Sequence, residues 1–253
     1  GLQAFTSITS LYLRDNVITS IDLSTNIALT HLSCQYNNIS SLDLSTNTEL
    51  IDLTVENCQI TSLDLSNNNQ LINVSCTDNK LSELILGSAI FYLNCRNNQI
   101  TSINTFNTTQ LHYFYCDINA LTSLDLSQNI NLISLNCATN FISHLDLSNN
   151  PSLFSLYCNN NQLTSANLAN QNNANLYNLQ IQNNPNLTCI QVDDVAYSNA
   201  NWTYNHIKPE TVSWSENCFE SLSLNEVNEV YSVSAFPNPK TGLTITLNLK
   251  LYH

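Results

Sequence analysis

The same pattern of leucines returns every 21 residues along most of this chain. One unit runs through Leu29, Leu32, Cys34, Asn37 and Ile39, then Leu42, Asp43, Leu44, Ser45, Asn47 and Leu50. Units begin at Ile8, Leu29, Leu50, Leu71, Ile90, Leu111, Leu132, Leu153 and Leu176. A unit of this length cannot bury its apolar side alone. Stacking on its neighbours gives it a continuous core, so a register held this long specifies a solenoid.

Each unit has two similar halves. The L-x-L and L-x-C triplets alternate with period two, so each is read as a short strand with its apolar residues facing inward. Successive coils would stack these strands about 4.8 Å apart into parallel sheets. Asn16, Asn37, Asn79, Asn98, Asn119, Asn140 and Asn161 stand where the chain leaves the first-half strand. A buried amide there can satisfy turn backbone groups that would otherwise be orphaned. Cys58 takes that place in one unit. Only 3 Gly occur, so Asn is expected to supply the tight turns. Two parallel sheets with little helix should result, straighter than a helix-backed horseshoe.

The pattern LxxLxCxxNxLxxLDLSxNxx resembles the bacterial leucine-rich repeats of the nested 21-residue type, common in exported proteins of Bacteroidetes. The resemblance covers residues 5–188 and implies a mainly β solenoid of about nine coils, with export as the expected fate. Two places depart from it. At Leu84-Ile85-Leu86-Gly87 the second half is two residues short and lacks Asp and Asn, and at Ile103-Asn104-Thr105-Phe106 the motif decays. A kink or a distinct surface is expected around residues 84–110.

Cys34, Cys76, Cys95, Cys116, Cys137 and Cys158 share the inward position of the first-half strand. Side chains stacked in parallel point the same way, whereas a disulfide needs opposed Cβ atoms and zinc needs converging ligands. They are read as small buried hydrophobes. Cys189 and Cys218 flank a non-repeat stretch containing Trp202 and Trp214, expected to cap the last coil. In an extracellular chain these two would form a disulfide. The segment LTCIQVDD with a later Cys also resembles those that end similar exported repeat proteins.

The expected layout is therefore a solenoid over 1–188, a cap over 189–218, a linker over 219–232 and a further segment over 233–253. In the last, Phe236-Pro237-Asn238-Pro239 followed by Gly242 and an alternating strand resembles the start of the C-terminal sorting domain of the type IX secretion system. That resemblance implies a secreted or outer-surface protein. The chain begins inside a unit, so an export signal is expected to have been removed or to lie outside it.

Lys+Arg is 6 against Asp+Glu 19, a net charge of −13, which argues against nucleic acid and anionic lipid as partners. No apolar run reaches the roughly eighteen residues of a membrane span, so membrane insertion is not expected. A monomer binding an extracellular protein or a glycan is the expected state.

Two outward surfaces could carry function. On the first-half sheet, Tyr92, Tyr113, Tyr115 and Tyr157 lie with Asn94, Asn136 and Gln180, and Tyr12 shares their column near the start. Aromatic plates beside amides suit a glycan or a protein surface, although Tyr also favours strands for its own sake. On the second-half sheet, Asp22, Asp43, Asp64, Asp125 and Asp146 form a column flanked by serines. Neighbouring carboxylates about 4.8 Å apart repel by roughly 0.9 kcal/mol even at the dielectric of water. Serine hydroxyls can offset this. The alternative is a calcium-binding scaffold centred on Asp22, Asp43 and Asp64, although one strand rarely offers six to eight ligands.

No cofactor other than calcium is suggested. Catalysis is not expected: no nucleophile elbow, HExxH or phosphate loop occurs, and His144 with Asp146 is the one neighbourly acid–base pairing. Ice binding is a third reading. Thr19, Thr61, Thr101, Thr122 and Thr164 form a column, but alternation from the following Leu or Ile (Ala166 in the last) is expected to turn it inward or into the turn.

Overall fold

The structure is a computed structural model describing residues 1–203 and 205–218. The expected linker over 219–232 and sorting-like segment over 233–253 lie outside the described residues. The chain winds into a parallel β-solenoid of about ten coils with little helix. Ten three- or two-residue strands, from Ser10–Tyr12 to His206–Ile207, pair in sequence order into one parallel sheet. The register is what a 21-residue period requires: Leu32 lies opposite Leu11 and Leu53, and Phe114 opposite Leu93 and Leu135.

Every central residue of these strands from Leu32 to Leu179 is buried, and so is the cysteine that follows the strand in six coils. Each fully buried Leu or Phe contributes roughly 1.5–3 kcal/mol, and the spine they form is continuous because each coil fills its neighbour's open side.

The second-half sheet is discontinuous. Ser62–Asp64 pairs with Glu83–Ile85, and His144–Asp146, Ser165–Asn167, Cys189–Gln191 and Ser213–Ser215 form a four-stranded sheet. Between and before them, as at Leu42–Leu44, no strand is recognised although Leu42 and Leu44 are buried. There the coils are joined by side-chain amides: Asn47 donates to the Leu23 and Asn26 carbonyls at 3.1 and 2.9 Å.

The first-half asparagines make a second such ladder. Asn37 donates to the Leu13 and Cys34 carbonyls, both at 2.9 Å, and accepts the Ile18 N–H at 3.0 Å. Asn79, Asn98, Asn119, Asn140, Asn161 and Asn184 repeat the arrangement. Cys58 reproduces part of it, donating from Sγ to the Cys34 carbonyl at 3.4 Å.

The tight turn itself falls one residue earlier than the consensus Asn. The left-handed position is occupied by Asp15, Tyr36, Asn57, Asp78, Asn97, Ile118, Thr139, Asn160 and Asn183, with φ between 51° and 59°. Asn supplies it in four of these coils only, so tyrosine, threonine and isoleucine carry a conformation that costs them roughly 1–2 kcal/mol. In seven of these nine coils the asparagine that follows the turn, from Asn37 to Asn184, bonds to the neighbouring coil and holds the turn there.

The shortened coil is accommodated by Gly87. Its Cα lies against the carbonyls of Leu65 and Asn68, where a Cβ would approach to 2.9 and 2.8 Å. In the regular coil before it, Asn68 donates to the equivalent pair, Leu44 and Asn47. Glycine therefore replaces an amide by close approach, and a surface hollow of about 410 Å³ opens beside Leu84, Ile85 and Asn104.

Residues 189–218 extend the solenoid rather than sitting across its end. Cys189–Gln191 and Ser213–Ser215 continue the second sheet and His206–Ile207 the first, which brings the coil number to about ten. The helix Val195–Asn201 is inserted between them, its N-terminus capped by the Asp194 carboxylate accepting from the Tyr197 N–H at 2.8 Å. Buried Trp202, Val212 and Trp214 close the end, and Cys189 is disulfide-bonded to Cys218.

Candidate ligand-binding face

The outward columns of the ten-stranded sheet bring Tyr92, Tyr113 and Tyr115 together. Tyr92 lies directly opposite Tyr113 and Asn94 opposite Tyr115 on adjacent strands. The Tyr92 ring is 6.5 Å from that of Tyr113 and 5.7 Å from that of Tyr115, the latter edge to face. These separations fall in the range of favourable aromatic pairs. All three rings are half-buried rather than open, because each covers part of its neighbour. Tyr157 shares the column but is separated from Tyr115 by Asn136, and no ring contact joins it to the cluster. Tyr12 stands apart near the first coil, 69% exposed.

A third column, preceding the strand, joins this surface. Ile51, Ile72, Phe91, His112, Ile133, Phe154 and Tyr177 follow one another coil by coil, linked by backbone hydrogen bonds of 2.8 to 2.9 Å. Phe91 stacks on His112 at 4.3 Å and tilts against Tyr113 at 5.6 Å, so the aromatic cluster has five rings. Ile72, Phe154 and Tyr177 are 42%, 45% and 57% exposed. Sequence reasoning stopped at the strand triplet. The signal was the residue after each unit's first leucine, apolar or aromatic over seven units.

The opposite surface is built differently. Asp22, Asp43, Asp64, Asp125 and Asp146 each accept the backbone N–H of the serine two residues on, at 2.9 to 3.0 Å. The Ser24 hydroxyl also donates to Asp22 at 2.7 Å. Hydrogen bonds from Ser24 and Gln3 lower the Asp22 pKa from 3.8 to about 2, and those from Ser45, Ser66 and Ser127 lower Asp43, Asp64 and Asp125. Each carboxylate is thus occupied in fixing its own turn. Among the described residues no group of three His, Cys, Asp or Glu could hold a metal ion, and Asp22, Asp43 and Asp64 stand one to a coil.

The threonine column does not turn inward. Thr19, Thr61, Thr101, Thr122 and Thr164 are all exposed, because the chain bends between the two halves and the strand alternation does not carry through the bend. The Thr164 hydroxyl donates to the Ser143 carbonyl at 3.2 Å. His144 meets Ser143 and Thr164 rather than Asp146.

The seven cysteines outside the disulfide are buried free thiols. Burial pushes Cys34, Cys76 and Cys137 up to about 12, and Cys95, Cys116 and Cys158 well above their usual 9.0. Burial thus disfavours the thiolate, the form in which a cysteine acts as nucleophile or metal ligand.

No family model and no curated protein matches the sequence. Solved structures do match the fold. The functional domain of InlJ from Listeria monocytogenes, described as including a cysteine ladder, is 28% identical over 82% of this chain and 50% of its own, with a TM-score of 0.61. YopM from Yersinia pestis, a leucine-rich effector protein, is 22% identical over 83% of this chain and 56% of its own, with a TM-score of 0.55. The leucine-rich-repeat ectodomain of the receptor kinase GASSHO1/SCHENGEN3 from Arabidopsis thaliana is 19% identical, covering 83% of this chain and 29% of its own at a TM-score of 0.62. This chain spans about half the length of the two bacterial proteins. Among the described residues no helix is long and apolar enough to cross a membrane. Repeat period, parallel coils and structural likeness together give this chain the leucine-rich-repeat solenoid fold.

Proposed function

We propose that this chain is an exported recognition module that binds an extracellular protein through the outward face of its ten-stranded sheet. The carrying observation is the five-ring cluster of Phe91, Tyr92, His112, Tyr113 and Tyr115 on adjacent coils. A solenoid face is rigid before binding, so little entropy is lost in organising it. Tyrosine combines contact area with a hydroxyl and is enriched among residues that dominate binding energy. Ile51, Ile72 and Ile133 of the column before the strands lengthen the contact available beyond the cluster. Two solved relatives in fold are protein complexes: the GASSHO1/SCHENGEN3 ectodomain with CASPARIAN STRIP INTEGRITY FACTOR 2, and the LRIM1/APL1C pair. Export is supported by the Cys189–Cys218 disulfide, which persists in oxidising compartments.

The test is an extracellular-protein array probed with the chain and with a Tyr113→Ala, Tyr115→Ala double variant that remains folded by circular dichroism. Saturable binding lost in the double variant supports the reading. Blank arrays, or equal binding by both proteins, overturn it.

A further inference from the structure

A second aromatic surface lies at the C-terminal end, remote in sequence from the Tyr92–Tyr115 cluster and made from different residues. One wall is the pair Phe154 and Tyr177, whose rings stack at 5.3 Å with 12° between their planes. Both remain 45% and 57% exposed despite that contact. The other wall is the half-buried ring of His206, which lies flat on the buried Trp202, 4.9 Å away and within 2° of parallel. Between the walls is a hollow of about 400 Å³, open to solvent, with the exposed amides of Asn175, Asn201 and Asn205 among its lining.

What the hollow lacks is charge. Among the described residues no Asp, Glu, Lys or Arg lines it, in a chain that carries 19 acidic residues. His206 does not supply one at neutral pH: burial lowers its pKa below 6.5, and its Nε2–H is donated to the Leu176 carbonyl at 2.7 Å. An ionic ligand would find no counter-charge here. A purely apolar one would leave the amides unpaired, at the desolvation cost of each. The volume lies within the roughly 300–1,000 Å³ of small-ligand sites, and the open side lets a polymer continue past it.

Flat aromatic faces beside uncharged amides match a sugar ring, which offers a C–H face for stacking and hydroxyls for the amide oxygens and N–H groups. We propose that this hollow is a carbohydrate subsite taking a short stretch of a neutral polysaccharide. It works independently of the protein-binding face.

The chain contains two tryptophans, Trp202 and Trp214, and their rings meet at 5.1 Å at this end of the molecule. Their fluorescence is a built-in reporter. The experiment titrates the protein with neutral oligosaccharides of glucose, mannose, galactose and N-acetylglucosamine, alongside acidic uronate oligomers, and follows tryptophan emission. A saturable change with at least one neutral oligosaccharide is expected. Tyr177→Ala should weaken it about tenfold, equivalent to about 1.4 kcal/mol, and Phe154→Ala should act in the same direction. The Tyr113→Ala, Tyr115→Ala variant should bind the sugar as the unaltered chain does, which separates this site from the other face. Three results would each overturn the proposal: no response to neutral sugars at millimolar concentration, a response to uronates alone, or a neutral-sugar response unchanged by both single substitutions.

Discussion

Tyr92 and Tyr115 meet edge to face at 5.7 Å although they occupy diagonal positions on adjacent strands, with Asn94 and Tyr113 as their direct cross-strand partners. The diagonal contact ties two coils together on their outer surface, where no core residue can. These rings therefore hold stability as well as binding area. Tyr113→Ala with Tyr115→Ala should lower stability by about 1.5–4.5 kcal/mol, from three lost ring contacts at about 0.5–1.5 kcal/mol each. Affinity for an array-identified protein should fall further, by about 2–4 kcal/mol if both rings are anchors. Thermal melts and titration calorimetry on the same preparation separate the two effects.

The cysteines should divide into two chemical classes. Native alkylation without reductant, read by mass spectrometry, should label none of the seven buried thiols and leave Cys189 and Cys218 paired. Replacing both disulfide cysteines by serine should cost roughly 3–4 kcal/mol in the chain-entropy picture. Label on Cys189 and Cys218 in the oxidised protein would defeat this division.

Backbone positions give a third measurement. Ile118 is β-branched and sits at φ 55°. Ile118→Asn should raise stability by about 1 kcal/mol, since Asn tolerates the left-handed region better. Gly87→Ala should act oppositely, by about 1–3 kcal/mol, because its Cβ would press on two backbone carbonyls that cannot move aside. Denaturant melts of the two variants check both signs.

Acid should unfold the chain by way of the aspartate column. Asp22, Asp43, Asp64 and Asp125 have folded pKa values below the usual 3.8, so each contributes stability that is fully present above 3.8. That contribution is lost as pH falls through the folded value, about 2 for Asp22. Asp117 has the reverse sign. Burial raises its pKa above 3.8 despite Arg96 at 3.4 Å, so its ionised form costs stability at neutral pH and the cost is relieved on acidification. Asp117→Asn should raise Tm at pH 7 by about 2–4 °C, whereas Asp43→Asn should lower it. A pH series of melting curves on both variants tests the opposed slopes.

Calcium provides a separate test of the same column. If Asp22, Asp43 and Asp64 hold the ion, calcium raises Tm and Asp43→Asn removes the rise. Carboxylates already committed to the Ser24, Ser45 and Ser66 N–H groups should leave the melting curve unchanged by calcium or EDTA.

The inward positions were legible from spacing alone, because Leu32 and Cys34 can share one side of a strand only if the chain alternates between them. Alternation stops being informative where the chain turns a corner. Counting back two residues from Leu63 and Ala166 turns Thr61 and Thr164 inward or into the turn, yet both are exposed. Phe91 and His112 were passed over for a related reason. They precede the strand, and their role emerges only when coils are stacked and their rings meet at 4.3 Å. Counting also missed the coil built from residues 189–218, since its strands retain the register while the helix Val195–Asn201 interrupts the 21-residue period.

The asparagine ladders run in one direction. Asn37 reaches back to Leu13 and Ile18, Asn47 to Leu23 and Asn26, and Asn68 to Leu44 and Asn47, so each amide fastens its own coil to the one made before it. A chain emerging N-terminus first from a ribosome or a translocation pore never has to wait for a residue still to come before seating these asparagine side chains. Each new turn finds a finished template, and assembly can keep pace with delivery in the manner of a ratchet.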